Sequence, residues 1–145
     1  MTLTMESTSA ERIVEIREKQ RKYFHSGATL DVKARKAALK KFEQAVLKWE
    51  KPLCDALWAD LHKSYEEAYL TEISILLGEI RTHIRKIGKW TRPQRKCTPL
   101  KLFPSSSKIV SEPLGTALII SPWNYPVQLL LTPLVGAISA GCTAV

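Results

Sequence analysis

A chain of 145 residues is long enough for one domain with a sizeable buried core, and its 45% hydrophobic and 25% charged residues exclude a disordered, collagen-like or disulfide-scaffold protein. The formal net charge of +8 is spread along segments that also carry glutamates, so it reads as solvated helical faces, with no nucleic-acid partner expected. Cys54, Cys97 and Cys142 are odd in number, lack a CxxC spacing and suggest a reducing compartment; with His25, His62 and His83 they form no ligand pattern, so no metal is expected.

The opening stretch MTLTMESTSAERI lacks the basic and apolar runs of a leader, and a cytoplasmic protein is expected. Thr8 with Glu11 forms a capping box for a first helix whose inner face carries Ile13, Ile16 and Phe24, and Gly27 is its stop. A second helix begins near Asp31 and buries the stripe Leu39, Phe42, Val46 and Trp49. Pro52 suits the first turn of a short third helix carrying Leu53, Leu57 and Leu61. Ser64 with Glu67 forms a second capping box ahead of the strongest helix, in which Ile73, Leu77, Ile80, Ile84 and Ile87 make one apolar seam. Helices thus fill residues from about 8 to about 92, because Pro93 stops the last one.

The basic stretch KWTRPQRK, Lys89 to Lys96, reads as a polar connector, and TPLKLFPSSSKIVSEPLG after it reads as loops with short strands, a hairpin arm or sheet edge. LGTALIIS, Leu114 to Ser121, reads as a buried strand. An apolar helix follows over Val127 to Ala140, Gly141 ends it, and a second strand begins at Thr143. Gly136 and Gly141 are expected where backbones approach closely, since the chain has no phosphate-binding glycine pattern. No charged residue follows Glu112, which raises the question of a membrane span. Pro122, Pro126 and Pro133 interrupt the run and Asn124 and Gln128 are polar, so a strand, turn and helix buried in an α/β core are expected and no stable membrane span.

A turn from strand to helix is where α/β enzymes place ligand-binding groups, and Asn124 sits in it, fenced by Pro122 and Pro126. Its amide is a neutral donor suited to a developing oxyanion, whereas an isolated asparagine here would be an ordinary turn residue. Trp123 and Tyr125 are packing residues or pocket wall.

EPLGTALIISPWNYPVQLLLTPLVGAISAG, Glu112 to Gly141, resembles the corresponding stretch of the aldehyde dehydrogenase superfamily. Upstream, FHSGATLDVKARKAALKKF and ALWADLHKSYEEAYLTEI resemble its class 3 branch, the fatty and aromatic aldehyde type, so the resemblance covers nearly the whole chain. It implies an α/β, aldehyde dehydrogenase-like fold: an N-terminal helical part plus the start of a Rossmann-like NAD(P)-binding domain. In these terms residues 1–145 are the N-terminal part of that domain, with a possible oligomerisation arm at about 98–114, strand, turn and helix at 114–141, and a catalytic domain outside the chain. It further implies NAD(P)-dependent oxidation of an aldehyde to a carboxylic acid through a cysteine thiohemiacetal and thioester, with Asn124 as oxyanion donor. Ile120, Ser121, Pro122 and Trp123 would line the NAD or NADP, chiefly through their backbone, and a homodimer is implied. The nucleophilic cysteine and catalytic glutamate are expected beyond Val145, so the segment alone is expected to be inactive. Cys142 departs from the pattern, standing where the family commonly has asparagine. Rival readings are a non-catalytic helical interaction fragment, or a basic binder of membrane surface or nucleic acid.

Overall fold

The computed structural model describes residues 7–145; residues 1–6, which fall within the opening stretch MTLTMESTSAERI and the 1–145 assignment, lie outside it. Helix α1 spans Ala10–His25 and is capped by Ser9, whose Oγ accepts from Arg12 N at 3.2 Å. The expected Thr8 cap is therefore displaced by one residue, since it is Ser9 that reaches the third helical amide. Glu11 stays in the first turn, where its own backbone N–H and then Ser9 hold its carboxyl below the usual carboxylate range. Gly27, at φ +74, turns the chain away.

Helix α2 spans Val32–Leu61, with Asp31 accepting from Lys33 N and Ala34 N at 3.0 and 3.2 Å. Pro52 lies inside this one 30-residue helix and does not begin another. The reason is where the proline faces. Pro52 is exposed and so is Lys48, whose carbonyl loses its helical donor, so water reaches the break while Val46, Cys54 and Leu57 hold both halves on the core. The buried stripe accordingly passes Leu39, Val46, Cys54 and Leu57; Trp49 is 56% exposed, and Leu61 is also exposed.

Ser64 Oγ accepts from Glu67 N at 3.2 Å and starts α3, Tyr65–Ala68, as its spacing predicts. One wide turn over Tyr69–Ile73, closed by Ser74 N on Tyr69 O, joins it to α4, Ser74–Trp90. Such π turns re-phase a helix, and this one turns both Glu72 and Ile73 inward. Ile73, Leu77, Ile80 and Ile87 are buried and Ile84 packs beside them, so the predicted seam is the core face.

Strand β1, Gln94–Lys96, pairs antiparallel with β2, Ser107–Ile109, placing Gln94 opposite Ile109. The expected hairpin exists, but its first strand lies in the basic stretch read as a connector. Arg95 and Lys96 are solvated on an edge, which a two-stranded ribbon permits. Strand β3, Thr116–Ala117, helix α5, Pro126–Ala140, and strand β4, Thr143–Ala144, form a parallel strand-helix-strand unit, with Thr116 beside Thr143. α5 packs on α2 and α4 through Val135, and α1 packs on both strands. The strand expected over Leu114–Ser121 is shorter and more exposed: β3 has β4 on one side, so Leu114, Leu118 and Ile120 face solvent.

Gly141 ends α5 at φ +88, and a Cβ there would stand 3.0 Å from Thr29 O, the close approach its position suggests. Gly136 differs: a Cβ there would meet only open space, because that face of α5 borders a cavity. No helix among the described residues is long and apolar enough to cross a membrane.

Candidate functional site

β3 and β4 run parallel, and Ile119 N donates to Val145 O at 2.9 Å as the last rung. Beyond it the chain leaves the sheet at its carboxyl end, the edge at which parallel α/β sheets bind ligands. Ile120, Ser121, Pro122, Trp123 and Asn124 follow in one continuous stretch from that rung to the first turn of α5. Ile120 and Trp123 are 82% and 83% exposed, Pro122 and Asn124 are exposed, and Ser121 is half-buried. All five residues singled out from the sequence therefore share one edge.

Asn124 precedes the N-cap Tyr125, which makes no side-chain cap. Pro126 has no amide hydrogen to satisfy, but Val127 and Gln128 do. Their partner comes from another element: Glu72 Oε2 accepts from Val127 N at 2.9 Å and from Gln128 N at 3.2 Å. Glu72 is 0% exposed, and its Oε1 accepts from Lys63 Nζ at 2.7 Å. Lys63 Nζ in turn donates to Asn124 O at 2.8 Å and stands 3.8 Å from the centre of the Tyr125 ring. A carboxylate at a helix N-terminus is favoured by the helix dipole, and an ammonium over an aromatic face by the ring quadrupole. The backbone of the turn is thus gripped while the Asn124 side chain, exposed, makes no hydrogen bond to a described residue.

The sequence reading missed Lys63 and Glu72. One signal was present: Ala68, Glu72, Leu76 and Ile80 recur every fourth residue, and the other three are buried, which flags a glutamate on the inner face. The wide turn that re-phases this segment has no such signal.

The cysteines lie elsewhere. Cys54 is buried in α2, and burial, followed by Glu50 and Asp55, pushes its thiol up, away from the reactive thiolate. Cys142 follows α5 at the end opposite Asn124, roughly 22 Å away along the helix. Cys97 is exposed beside β1. Among the described residues no three His, Cys, Asp or Glu side chains are grouped to hold a metal.

The aldehyde dehydrogenase family model matches residues 1–145. The chain belongs to the aldehyde dehydrogenase family. It is 46% identical over 123 residues to the 4,4'-diaponeurosporen-aldehyde dehydrogenase of Staphylococcus aureus, covering 85% of this chain and 27% of that protein. It is 39% identical over 139 residues to aldehyde dehydrogenase family 3 member F1 of Arabidopsis thaliana, covering 96% of this chain and 28% of that one. A solved structure of Staphylococcus aureus AldH in a substrate-bound state superposes with a TM-score of 0.88 at 43% identity, over 91% of this chain and 29% of that one. The chain therefore spans under a third of the length of these aldehyde dehydrogenases, and its fold is that of their N-terminal part: a helical layer followed by a small parallel sheet.

Proposed function

We propose that this chain supplies the oxyanion-binding turn, and part of the cofactor-facing edge, of an NAD(P)-dependent aldehyde dehydrogenase that oxidises an aldehyde to a carboxylic acid. The observation that carries this reading is the Asn124 amide: neutral, solvent-facing, without a hydrogen bond to any described residue, and presented by a turn whose backbone is held from below. A cysteine thiolate from outside this chain adds to the aldehyde carbonyl, and its oxygen takes up the negative charge. The Asn124 N–H donates to that oxygen, where a fixed donor needs no reorganisation as charge develops. A glutamate, also outside this chain, helps water hydrolyse the thioester that follows.

NAD or NADP, when bound, accepts the hydride. Ile120, Ser121, Pro122 and Trp123 suit one wall of its site, because their backbone lies past the last sheet rung and the exposed Ile120 and Trp123 side chains present flat apolar surface. The segment after Glu112 is uncharged, which favours a planar ring over a phosphate here. The parallel unit fits the beginning of a Rossmann-like domain. The region at 98–114, which includes β2, fits an oligomerisation arm and a homodimer, and cysteine usage fits a cytoplasmic setting.

The test is made in the expressed dehydrogenase polypeptide that carries this segment. Asn124→Ala should lower kcat by about 100- to 1000-fold, roughly 2.7 to 4 kcal/mol, with cofactor affinity little changed. Asn124→Asp should be at least as damaging, since it sets like charge beside the oxyanion, whereas Trp123→Phe should act mainly on cofactor binding. A folded Asn124→Ala enzyme within a few-fold of wild-type kcat would refute the assignment.

A further inference from the structure

Asparagine is among the best helix N-caps, and the Asn124 side chain lies one residue before the N-cap of a helix whose first amides need acceptors. An Asn124 Oδ1 drawn onto Val127 N or Gln128 N would turn the side chain away from a ligand. Those amides are already taken by Glu72, at 2.9 and 3.2 Å.

We propose that Glu72 and Lys63 are positioning residues: Glu72 relieves Asn124 of capping α5, and Lys63 fixes the Asn124 carbonyl, so that the side-chain amide stays outward and aimed. The inference rests on the oxyanion reading of Asn124 and adds to it the device that sets the amide's direction. A buried ion pair is weak as a source of stability, because desolvation offsets most of the attraction and an apolar pair of similar volume often serves as well. Its presence at 0% exposure for Glu72 is accounted for by what the two side chains do together. Glu72 receives three hydrogen bonds, two from α5 and one from Lys63 in the link between α2 and α3, and Lys63 passes one on to Asn124 O at 2.8 Å. Tyr125 closes the arrangement, its ring 3.8 Å from Nζ. The grip thus reaches residues 124, 125, 127 and 128 from a single pair.

The test is a double-mutant cycle in the expressed polypeptide. Lys63→Met keeps a long side chain but loses the donor to Asn124 O, and should lower kcat by roughly 10- to 100-fold with the cofactor KM nearly unchanged. Lys63→Arg, which keeps charge and donors, should recover most of that loss. In the Asn124→Ala background Lys63→Met should cost no more than about two-fold, because the group it aims is gone. An equal cost in both backgrounds would show a general loss of stability and overturn the proposal, as would a Lys63→Met enzyme with wild-type kcat.

Should Lys63→Met fail to fold, the neutral pair Lys63→Met with Glu72→Gln removes the uncompensated charge. It keeps an oxygen for Val127 N and Gln128 N, and should show the same dependence on Asn124. Amide hydrogen exchange supplies a readout independent of turnover. Exchange should accelerate in the segment 124–129 of either variant and stay unchanged in α1; unaltered exchange in 124–129 would equally overturn the proposal. If Asn124→Ala itself retains full kcat, the oxyanion reading fails; if Asn124→Ala is impaired but the cycle is additive, the positioning role fails alone.

Discussion

The two ends of α5 are both held by charged side chains from the helical layer, yet they are built for different tasks. At the N-terminal end a buried anion, Glu72, takes two backbone amides, and its partner cation reaches on to the Asn124 carbonyl. At the C-terminal end a lone cation does the work: Arg35 Nη1 donates to Ser139 O at 2.8 Å and Nη2 to Leu30 O at 2.9 Å. Both signs suit the helix dipole. Burial lowers the Arg35 pKa, but a guanidinium stays charged at any working pH. Gly141 completes this end by lying against Thr29 O, with the Arg35 side chain beside it. One end anchors the helix, and the other anchors it while freeing an amide.

The comparison can be broken most severely at Gly141. Gly141→Ala puts a β-carbon on a residue at φ +88 and 3.0 Å from a backbone carbonyl, so strain and overpacking add to about 3 kcal/mol. The thermal midpoint at a fixed scan rate should fall clearly, while kcat per folded molecule stays close to wild type. A fall in kcat without loss of stability would mean that the C-terminal end also tunes the site. Arg35→Met should act the same way more gently, costing about 2 kcal/mol for two carbonyls left without their donor. It would sharpen the contrast if its stability loss matched that of Lys63→Met while only the latter lost turnover. Equal turnover losses would erase the distinction between the ends.

What the sequence disclosed follows the range of the forces involved. The seam from Ile73 to Ile87, the Ser64 cap and the Gly141 stop are set within a few residues and were legible from spacing alone. Pro52 misled because local propensity treats a proline as a boundary, whereas the burial of Val46, Cys54 and Leu57 on one face keeps α2 continuous past it. The strand at Leu114–Ser121 was recognised by composition, but burial depends on neighbours that composition does not reveal. Asn124 stood out through its proline fence and the resemblance around PWNYP. Its supports stood out far less, since Lys63 and Glu72 lie 61 and 52 residues away from Asn124, and only the recurrence of Ala68, Glu72, Leu76 and Ile80 at every fourth position hints that Glu72 faces inward.

The smallest expected effect concerns the ground on which the N-terminal grip stands. α3 leads directly into the turn that carries Glu72, and Tyr65 at its start donates its hydroxyl to Glu50 on α2 at 2.6 Å. That hydrogen bond is the main reason the phenol is pushed up to about 12, with burial and the charge of Glu50 contributing after it. A raised phenol pKa means that the protonated form is the one the fold favours. The tether's contribution is therefore complete below the ordinary tyrosine range near pH 10, and is lost as pH rises through about 12. Because the pair is exposed, the effect on stability should be slight. It is best read optically: the difference in phenolate absorbance between wild type and Tyr65→Phe isolates one tyrosine, and its midpoint should lie near 12. Exchange at 124–129 should then rise only modestly in Tyr65→Phe, well short of the rise in Lys63→Met, since the tether steadies the approach to Glu72 without touching the turn. A midpoint near 10 would remove the tether. A Tyr65→Phe response as large as that of Lys63→Met would shift the grip on Asn124 from the buried pair to the surface of α3.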